Sequence, residues 1–214
     1  DLYKKDKSIS YRFTKDFENA LQKYYQDWQV TKALNPSLTH FDKNTNWDQV
    51  TIELDNELKK YSVYPDFYGD LIDYTYSNLL FKKKYDEISR ITSLADTYFL
   101  ERFFTEFLKG FVALSQNDLN NAKTCFAKAN EIENNLENPN WIGSLILQLA
   151  QADPVMAFSL GEIMATYNPK SFDFQIGMAN LASKLGMKEK SIYYAQKALE
   201  IKPDDQMALR FIGN

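Results

Sequence analysis

The feature that most restricts the fold of this chain is a pattern of paired helices that recurs every 34 or 35 residues through its C-terminal two-thirds. A repeat of this length is typical of a solenoid of helix-turn-helix units, in which each unit buries its apolar face against its neighbours. The equivalent residues of the four copies, read backwards, are Ser191, Ala157, Ala122 and Ile88. The pattern predicts an all-α fold and favours binding over catalysis.

The last copy of the repeat is the clearest and runs from Phe172 to Pro203. Small residues recur where its two helices would cross, because antiparallel helices approach to about 8–9 Å only past small side chains. A proline then ends the second helix, since it lacks an N–H and clashes with the preceding turn. The repeat residues, from the last copy to the first, are Ala179, Gly186, Ser191, Ala195, Ala198, Leu199, Ile201 and Pro203; Trp141, Ala157, Gly161 and Pro169; Gly110, Ala122, Phe126, Ala129 and Ile132; Tyr85, Ile88 and Ile91.

This set of residues resembles the tetratricopeptide repeat. The residues that carry the resemblance are a large apolar residue early in the first helix, small residues at the helix contact, a glycine at the turn and a closing proline: Trp141, Gly110, Ala179, Gly186 and Pro203. Two copies depart from the pattern, with Ile88 in place of a small residue and Asn134 in place of the proline. The resemblance implies a right-handed α-solenoid of about four helical pairs over residues 66–214.

Composition agrees with this fold and excludes several classes of function. A chain of 214 residues with 44% hydrophobic content suits a soluble protein with a sizeable core. Only 7 glycines and 6 prolines are present, which favours helices with short connections. No stretch reaches the roughly 18 apolar residues that span a bilayer. The net charge of −4 does not favour nucleic acid as a partner.

Catalytic and cofactor motifs are absent from the sequence. The chain has one histidine, His40, and one cysteine, Cys125, which is predicted to be a small buried side chain. There is no glycine-rich phosphate loop, no Gly-X-Ser-X-Gly motif and no cysteine pair with zinc-binding spacing. We therefore expect no catalytic residue, no metal and no cofactor.

One local motif has the spacing of a calcium-binding loop, which needs oxygen donors on alternate residues and a final glutamate. Its members are Asp42, Asn44, Asn46, Asp48 and Glu53. Trp47, however, takes the place of the glycine that the turn of such a loop requires. An asparagine-rich loop that caps a helix beginning at Trp47 is the simpler interpretation.

The N-terminal third, residues 1–65, is predicted to be a helical cap. Apolar residues follow helical spacing over residues 14–30 and again over residues 47–61. These two helices are expected to cover the first repeat, because the end unit of a solenoid must hide its apolar face. At the other end, residues 206–214 restart the repeat pattern. They are expected to form a short capping helix or to begin a further unit of a longer protein.

A partner is expected on the concave face of the array, which the first helix of each repeat would line. The projected residues are Asp70, Asp73, Ser77, Phe104, Phe107, Phe111, Leu114, Ile142, Ile146, Leu149, Asp173, Ile176, Asn180 and Ser183. The middle of this set is apolar, and the set does not show the pattern of Lys, Arg and Asn residues with which peptide-clamping versions of the resembled family hold a carboxylate. Two interpretations stay open: the apolar residues are core, or they line a groove for an apolar helix or an extended peptide.

A second resemblance concerns the segment ALQKYYQDWQ, residues 20–29, and scattered residues between Leu58 and Glu87. Together they are similar to the helical tail that follows the catalytic domain of bacterial esterase-like α/β-hydrolases. This resemblance implies a non-catalytic appendage whose serine nucleophile lies upstream. The principal prediction is a non-catalytic protein-interaction module that binds a peptide or partner helix, and the hydrolase appendage is the alternative.

Overall fold

The computed structural model describes residues 48, 52, 55, 56, 59, 79–98 and 102–213. The chain divides into two compact units, one of residues 1–77 and 90–100 and the other of residues 78–89 and 101–214. The boundary at residue 65, the helix at residues 14–30, His40 and most of the hydrolase resemblance lie outside the described residues. Those expectations stay predictions.

Within the described ranges, all regular secondary structure is helical, which confirms the all-α prediction. The elements are α1 (Tyr85–Tyr98), α2 (Phe103–Ser115), α3 (Leu119–Ile132), a 3-10 turn (Asn134–Glu137), α4 (Pro139–Ala152), α5 (Pro154–Met164), α6 (Phe172–Lys184), α7 (Lys188–Ile201) and α8 (Gln206–Gly213). The pairs α2–α3, α4–α5 and α6–α7 are the predicted helical repeats, arranged in series as in an α-solenoid. The short helix α8 begins where the first helix of a further pair would begin.

Polar residues fix where most of these helices begin. A side-chain oxygen just before the helix accepts a hydrogen bond from a first-turn N–H that would otherwise have no partner. The residues that do this for α3, α4, α5, α6 and α8 are Asp118, Asn138, Asp153, Ser171 and Asp205. Pro139 and Pro154 follow two of these caps at the first helical position, where a missing N–H costs nothing.

The turns that precede α1, α3 and α7 reuse one backbone geometry. Lys83, Asn117 and Gly186 adopt left-handed φ angles of 59°, 58° and 72°. The N–H of the residue after each one donates to the carbonyl five residues before that donor, at 2.9–3.0 Å. Gly186 was predicted as a turn glycine. The α4–α5 pair differs, because Asp153 alone connects the two helices and caps the second one.

Small residues lie where the helices of a pair cross, as predicted. Six alanines at these positions are 0% exposed: Ala122, Ala129, Ala157, Ala179, Ala195 and Ala198. A Cβ atom added to Gly110 would lie 2.5 Å from the ring of Phe126, and one added to Gly161 would collide with the side chain of Met178. Both glycines therefore permit close packing of neighbouring helices.

The junction after α5 differs from the prediction. The repeat pattern places the end of this helix just before Pro169, but the helix ends at Met164. Asn168 is only 4% exposed, and its Nδ2 donates to the carbonyls of Leu136, at 2.7 Å, and Met164, at 3.1 Å. This amide satisfies two carbonyls and ties the 3-10 turn after one repeat to the loop after the next. A buried carbonyl without a partner would cost about 1–3 kcal/mol.

In the first unit, residues 48, 52, 55, 56 and 59 are helical, which fits the helix predicted over residues 47–61. Asp48 forms an ion pair with Arg90 at 2.6 Å, and Asp55 accepts hydrogen bonds from Lys59 and Tyr98 at 2.5 Å. Asp48 is the described member of the calcium motif. No group of three metal-ligating side chains occurs among the described residues. Nor is any helix in those residues long and apolar enough to cross a membrane.

Candidate partner-binding groove

Several residues projected onto the concave face lie in the core. Phe107, Phe111 and Ile142 are 0% exposed, and Leu114 and Leu149 are also buried. These positions fit the core interpretation that the sequence left open. Phe104 and Ile176 are half-buried, whereas Asp173, Asn180 and Ser183 are exposed. Asp70, Asp73 and Ser77 lie outside the described residues.

Phe107 is the centre of an aromatic cluster that joins α2, α3 and α4. The centroid of its ring lies 5.2 Å from that of Phe111, 5.5 Å from that of Phe126 and 5.3 Å from that of Trp141. Edge-to-face and tilted rings at these distances interact favourably beyond the area that they bury. The cluster is therefore a structural core that holds the first helix of the third repeat against the second repeat.

An open groove lies further along the array, between α4 and α6, with a cavity volume of about 580 Å³. Three of the projected residues line it: Ile146, Asp173 and Asn180. The residues on its two walls are Gly143, Ile146, Leu147, Ala150 and Gln151 from α4, and Asp173, Phe174, Gly177, Met178, Asn180, Leu181 and Lys184 from α6, with Leu185 directly after that helix. We call this cavity the α4–α6 groove.

The open stripe of α4 lies one residue later than the projected one. Gly143, Leu147 and Ala150 line the groove, while Ile142 and Leu149 turn into the core. Leu147 is 68% exposed and is the most exposed large hydrophobic residue in the described part of the chain. The groove thus has an apolar wall that faces solvent, above a floor of buried side chains.

Two glycines on these walls have no packing role in the described structure. Gly143 and Gly177 occupy equivalent positions, 34 residues apart, in the middle of α4 and α6. A Cβ atom on either one would have no atom within 4 Å. Glycine inside a helix costs roughly 0.5–1 kcal/mol relative to alanine. The absence of side chains leaves the backbone of both helices open to close approach from the groove.

Opposite charges stand at the two ends of the α6 wall. Asp173 lies in the first turn of α6 and Lys184 in its last turn. Eleven residues separate them, which corresponds to about 16 Å and returns to nearly the same side of a helix. Among the described residues, neither side chain has an ion-pair or hydrogen-bond partner. Asn180 lies between them. From its first turn to its last, the α6 wall therefore presents an acidic residue, apolar residues, an amide and a basic residue.

A cavity of about 800 Å³ lies between α5 and α7 and has a different character. Its charged residues largely pair with each other, since Lys190 contacts Glu162 and Lys197 contacts Glu200. An internally neutralised surface of this kind offers less to a partner than an open apolar wall.

Two further polar groups in the described residues are paired or buried. A third cavity, of about 580 Å³, is lined in part by Lys83 and Asp153, which form an ion pair at 2.8 Å. Burial, with a contribution from the charge of Asp153, raises the pKa of Tyr85 to about 12. Cys125 is buried as predicted, and burial with the nearby Glu106 carboxylate raises the pKa of its thiol. A thiol held in the protonated form is a poor nucleophile.

Two segments of the chain, residues 107–136 and 173–205, match the sequence profile of the tetratricopeptide repeat. They coincide with the α2–α3 and α6–α7 pairs, which flank the α4–α5 pair. These two helical pairs are therefore similar to the tetratricopeptide repeat. Arrays of such repeats present extended binding surfaces, so the fold supports a protein-interaction module.

The solved structures also include a similar protein. The crystal structure of YrrB, described as a TPR protein with an unusual peptide-binding site, aligns with 85% of this chain and 95% of its own chain. The two are 16% identical in sequence, and the TM-score is 0.33. A search of curated protein sequences found no match.

Proposed function

We propose that the chain is a non-catalytic protein-interaction module whose α4–α6 groove binds a peptide segment or helix of another protein. The observation that carries this proposal is the open cavity of about 580 Å³ with Leu147 exposed on its wall. A single exposed leucine is ordinary on a protein surface. Here, however, it lies in a concave site with an apolar floor, which is the usual form of a binding site.

The composition of the groove indicates what kind of side chain it binds. Lys184 is the only basic residue among those that line it, and it lies at one end. The α4 wall carries no charge. A groove of this composition binds apolar side chains over most of its length and leaves charged contacts to its rim.

Peptide selection tests this proposal. A phage library of random 16-residue peptides is selected on the full chain and counter-selected on the Leu147→Asp variant. The selected peptides are then synthesised and titrated against both proteins by calorimetry. We expect Leu147→Asp to weaken binding at least tenfold, because the partner would have to desolvate a carboxylate on an apolar wall.

Leu119→Asp is the matched control. Leu119 is 51% exposed, lies at the first position of α3 and does not line the groove. An acidic residue in the first turn of a helix suits the helix dipole, so this variant should fold and bind normally. The proposal fails if no peptide depends on Leu147, or if both variants weaken binding equally. Thermal melting of both variants separates loss of binding from loss of fold.

A further inference from the structure

We propose that the occupant of the α4–α6 groove is a short amphipathic α-helix that lies antiparallel to α4 and α6, with acidic residues in its first turn and basic residues in its last. This inference rests on the proposed function, because it specifies the partner of the same groove. Three properties of the groove support it. The walls offer few free backbone groups to a bound peptide, two glycines leave space on the walls, and the charges along α6 have a fixed order.

The first property is that the groove walls are helices. Their interior N–H and carbonyl groups are already bonded within α4 and α6, and the floor consists of apolar side chains such as Ile146 and Met178. An extended peptide would therefore find few partners for its own backbone groups, and unpaired polar groups are costly to bury. A helix satisfies these groups internally.

The second property is the pair of open glycines. Gly143 and Gly177 face the same cavity from neighbouring helices, and space for a Cβ atom is free at both. Helices pack at axial distances of 8–10 Å, and the smaller distances need small residues at the contact. A third helix seated over these two glycines can approach both walls closely. From Asp173 to Leu185 the groove has room for about 18 Å of helix, or roughly three turns.

The third property fixes the direction of the bound helix. Asp173 attracts a basic residue at one end of the groove, and Lys184 attracts an acidic residue at the other. An isolated helix prefers acidic residues at its N-terminus and basic residues at its C-terminus. Both preferences are met only when the N-terminus of the bound helix lies beside Lys184. Because alternate helices of such an array run in the same direction, the partner is then antiparallel to α4 as well as α6.

The experiment uses the tightest groove-dependent peptide from the selection described above. Its ¹³C-labelled form is bound to the full chain, and its Cα chemical shifts are measured. We expect helical shifts over at least two turns, and a central alanine-to-proline exchange should abolish binding. A peptide that stays extended in the complex would overturn the inference while leaving the proposed function intact.

A charge exchange tests the direction. The double variant Asp173→Lys, Lys184→Asp should bind the selected peptide about tenfold more weakly, and the loss should shrink at high salt. A peptide with its terminal acidic and basic residues exchanged should bind this variant as tightly as the original pair bind each other. That restored binding also shows that the variant is folded. Equal affinity of all four combinations, or the opposite preference, would overturn the inference; recovery of no groove-dependent peptide would instead overturn the proposed function.

Discussion

At the scale of single residues, the interior glycines of the array have two opposite roles. Gly110 lies against the ring of Phe126, which is itself packed against Phe107 and Phe111. That ring is 0% exposed and packed on both of these side chains, so it yields little space to a new methyl group. Gly143 faces an open groove instead, and nothing lies near the position of its missing Cβ.

Alanine in place of Gly110 and alanine in place of Gly143 should therefore have opposite effects on the free energy of unfolding. Gly110→Ala should lower the free energy of unfolding by about 1–3 kcal/mol, because the new methyl group overpacks a rigid contact. Gly143→Ala should raise it by roughly 0.5–1 kcal/mol, because alanine favours a helix and the space is free. Urea unfolding followed by circular dichroism measures both. Destabilisation by Gly143→Ala would mean that its surroundings are filled.

The repeat pattern predicts residues whose role depends on their size. The spacing alone assigns Gly110, Ala179 and Ala195 to helix crossings, and the structure buries all three, with Gly110 against the ring of Phe126. It does not predict Asn168, because the hydrogen bonds of that side chain join loops of two different repeats. The pattern also does not predict the left-handed turn at Asn117, although this residue lies 69 residues, or two repeat lengths, before Gly186.

At the scale of elements, the shortest connection between helices in the described array is a single residue, Asp153. Its carboxylate caps α5 by accepting from the N–H of Met156 at 3.0 Å, and it also pairs with Lys83 at 2.8 Å. Burial by itself raises the pKa of this carboxyl. The bond from Lys83 and the backbone N–H groups outweigh burial, so the pKa lies below its usual value.

Substitution of Asp153 should therefore have a pH-dependent cost. Asp153→Ala should lower the stability at pH 7 by about 1–2 kcal/mol through loss of the cap. Asp153→Asn, which keeps an acceptor and loses the charge, should cost about 0.5–1 kcal/mol. Chemical unfolding at a series of pH values measures both costs.

The sign of the pH dependence follows from the lowered pKa. A carboxylate whose pKa is lower in the folded chain than in the unfolded chain stabilises the fold. This stabilisation is complete at pH values above the pKa of the unfolded chain, about 4. This stabilisation is lost as the pH falls through the lower value of the folded chain. The difference between the wild type and Asp153→Asn should thus be constant above pH ~5 and disappear in strong acid. A difference that grew on acidification would contradict the assignment.

The sequence predicts the helices more accurately than their rotation. The projection places Ile142, Ile146 and Leu149 on the concave side of α4. Ile146 lines the floor of the groove, but Ile142 and Leu149 are buried, and the open stripe is Gly143, Leu147 and Ala150. One residue corresponds to a rotation of about 100° around a helix. Apolar residues lie on both stripes of α4, so the local pattern alone does not distinguish the face that packs from the face that stays open.

At the scale of the whole molecule, Phe107 shows how the repeats depend on one another. Its ring connects α2 to α3 and to Trp141 of the next repeat. Phe107→Asp should unfold the array, because a buried cavity and a buried charge together exceed about 4 kcal/mol, a large part of the stability of a domain. Circular dichroism and a thermal melt would show this, with Leu119→Asp as the control. A folded Phe107→Asp variant would mean that this side chain faces solvent.

The sequence could not establish which apolar residues of the array are covered. Phe107, Phe111 and Leu147 are all large apolar residues in the first helix of a repeat. The first two are nevertheless buried, and the third is exposed. The difference depends on contacts between repeats that are distant in sequence. The spacing of Gly143 and Gly177, one repeat apart, is a signal in the sequence that the projection did not use, and only the structure shows that space is free beside both glycines.

The central claim is that a partner occupies the groove between α4 and α6. The most direct test is a ¹H–¹⁵N correlation spectrum of the full chain, recorded with and without the selected peptide. The account predicts that the largest shift changes occur at Gly143, Leu147, Gly177 and Asn180. Changes concentrated on the α5–α7 surface around Lys190 and Tyr193, with the groove residues unmoved, would contradict it.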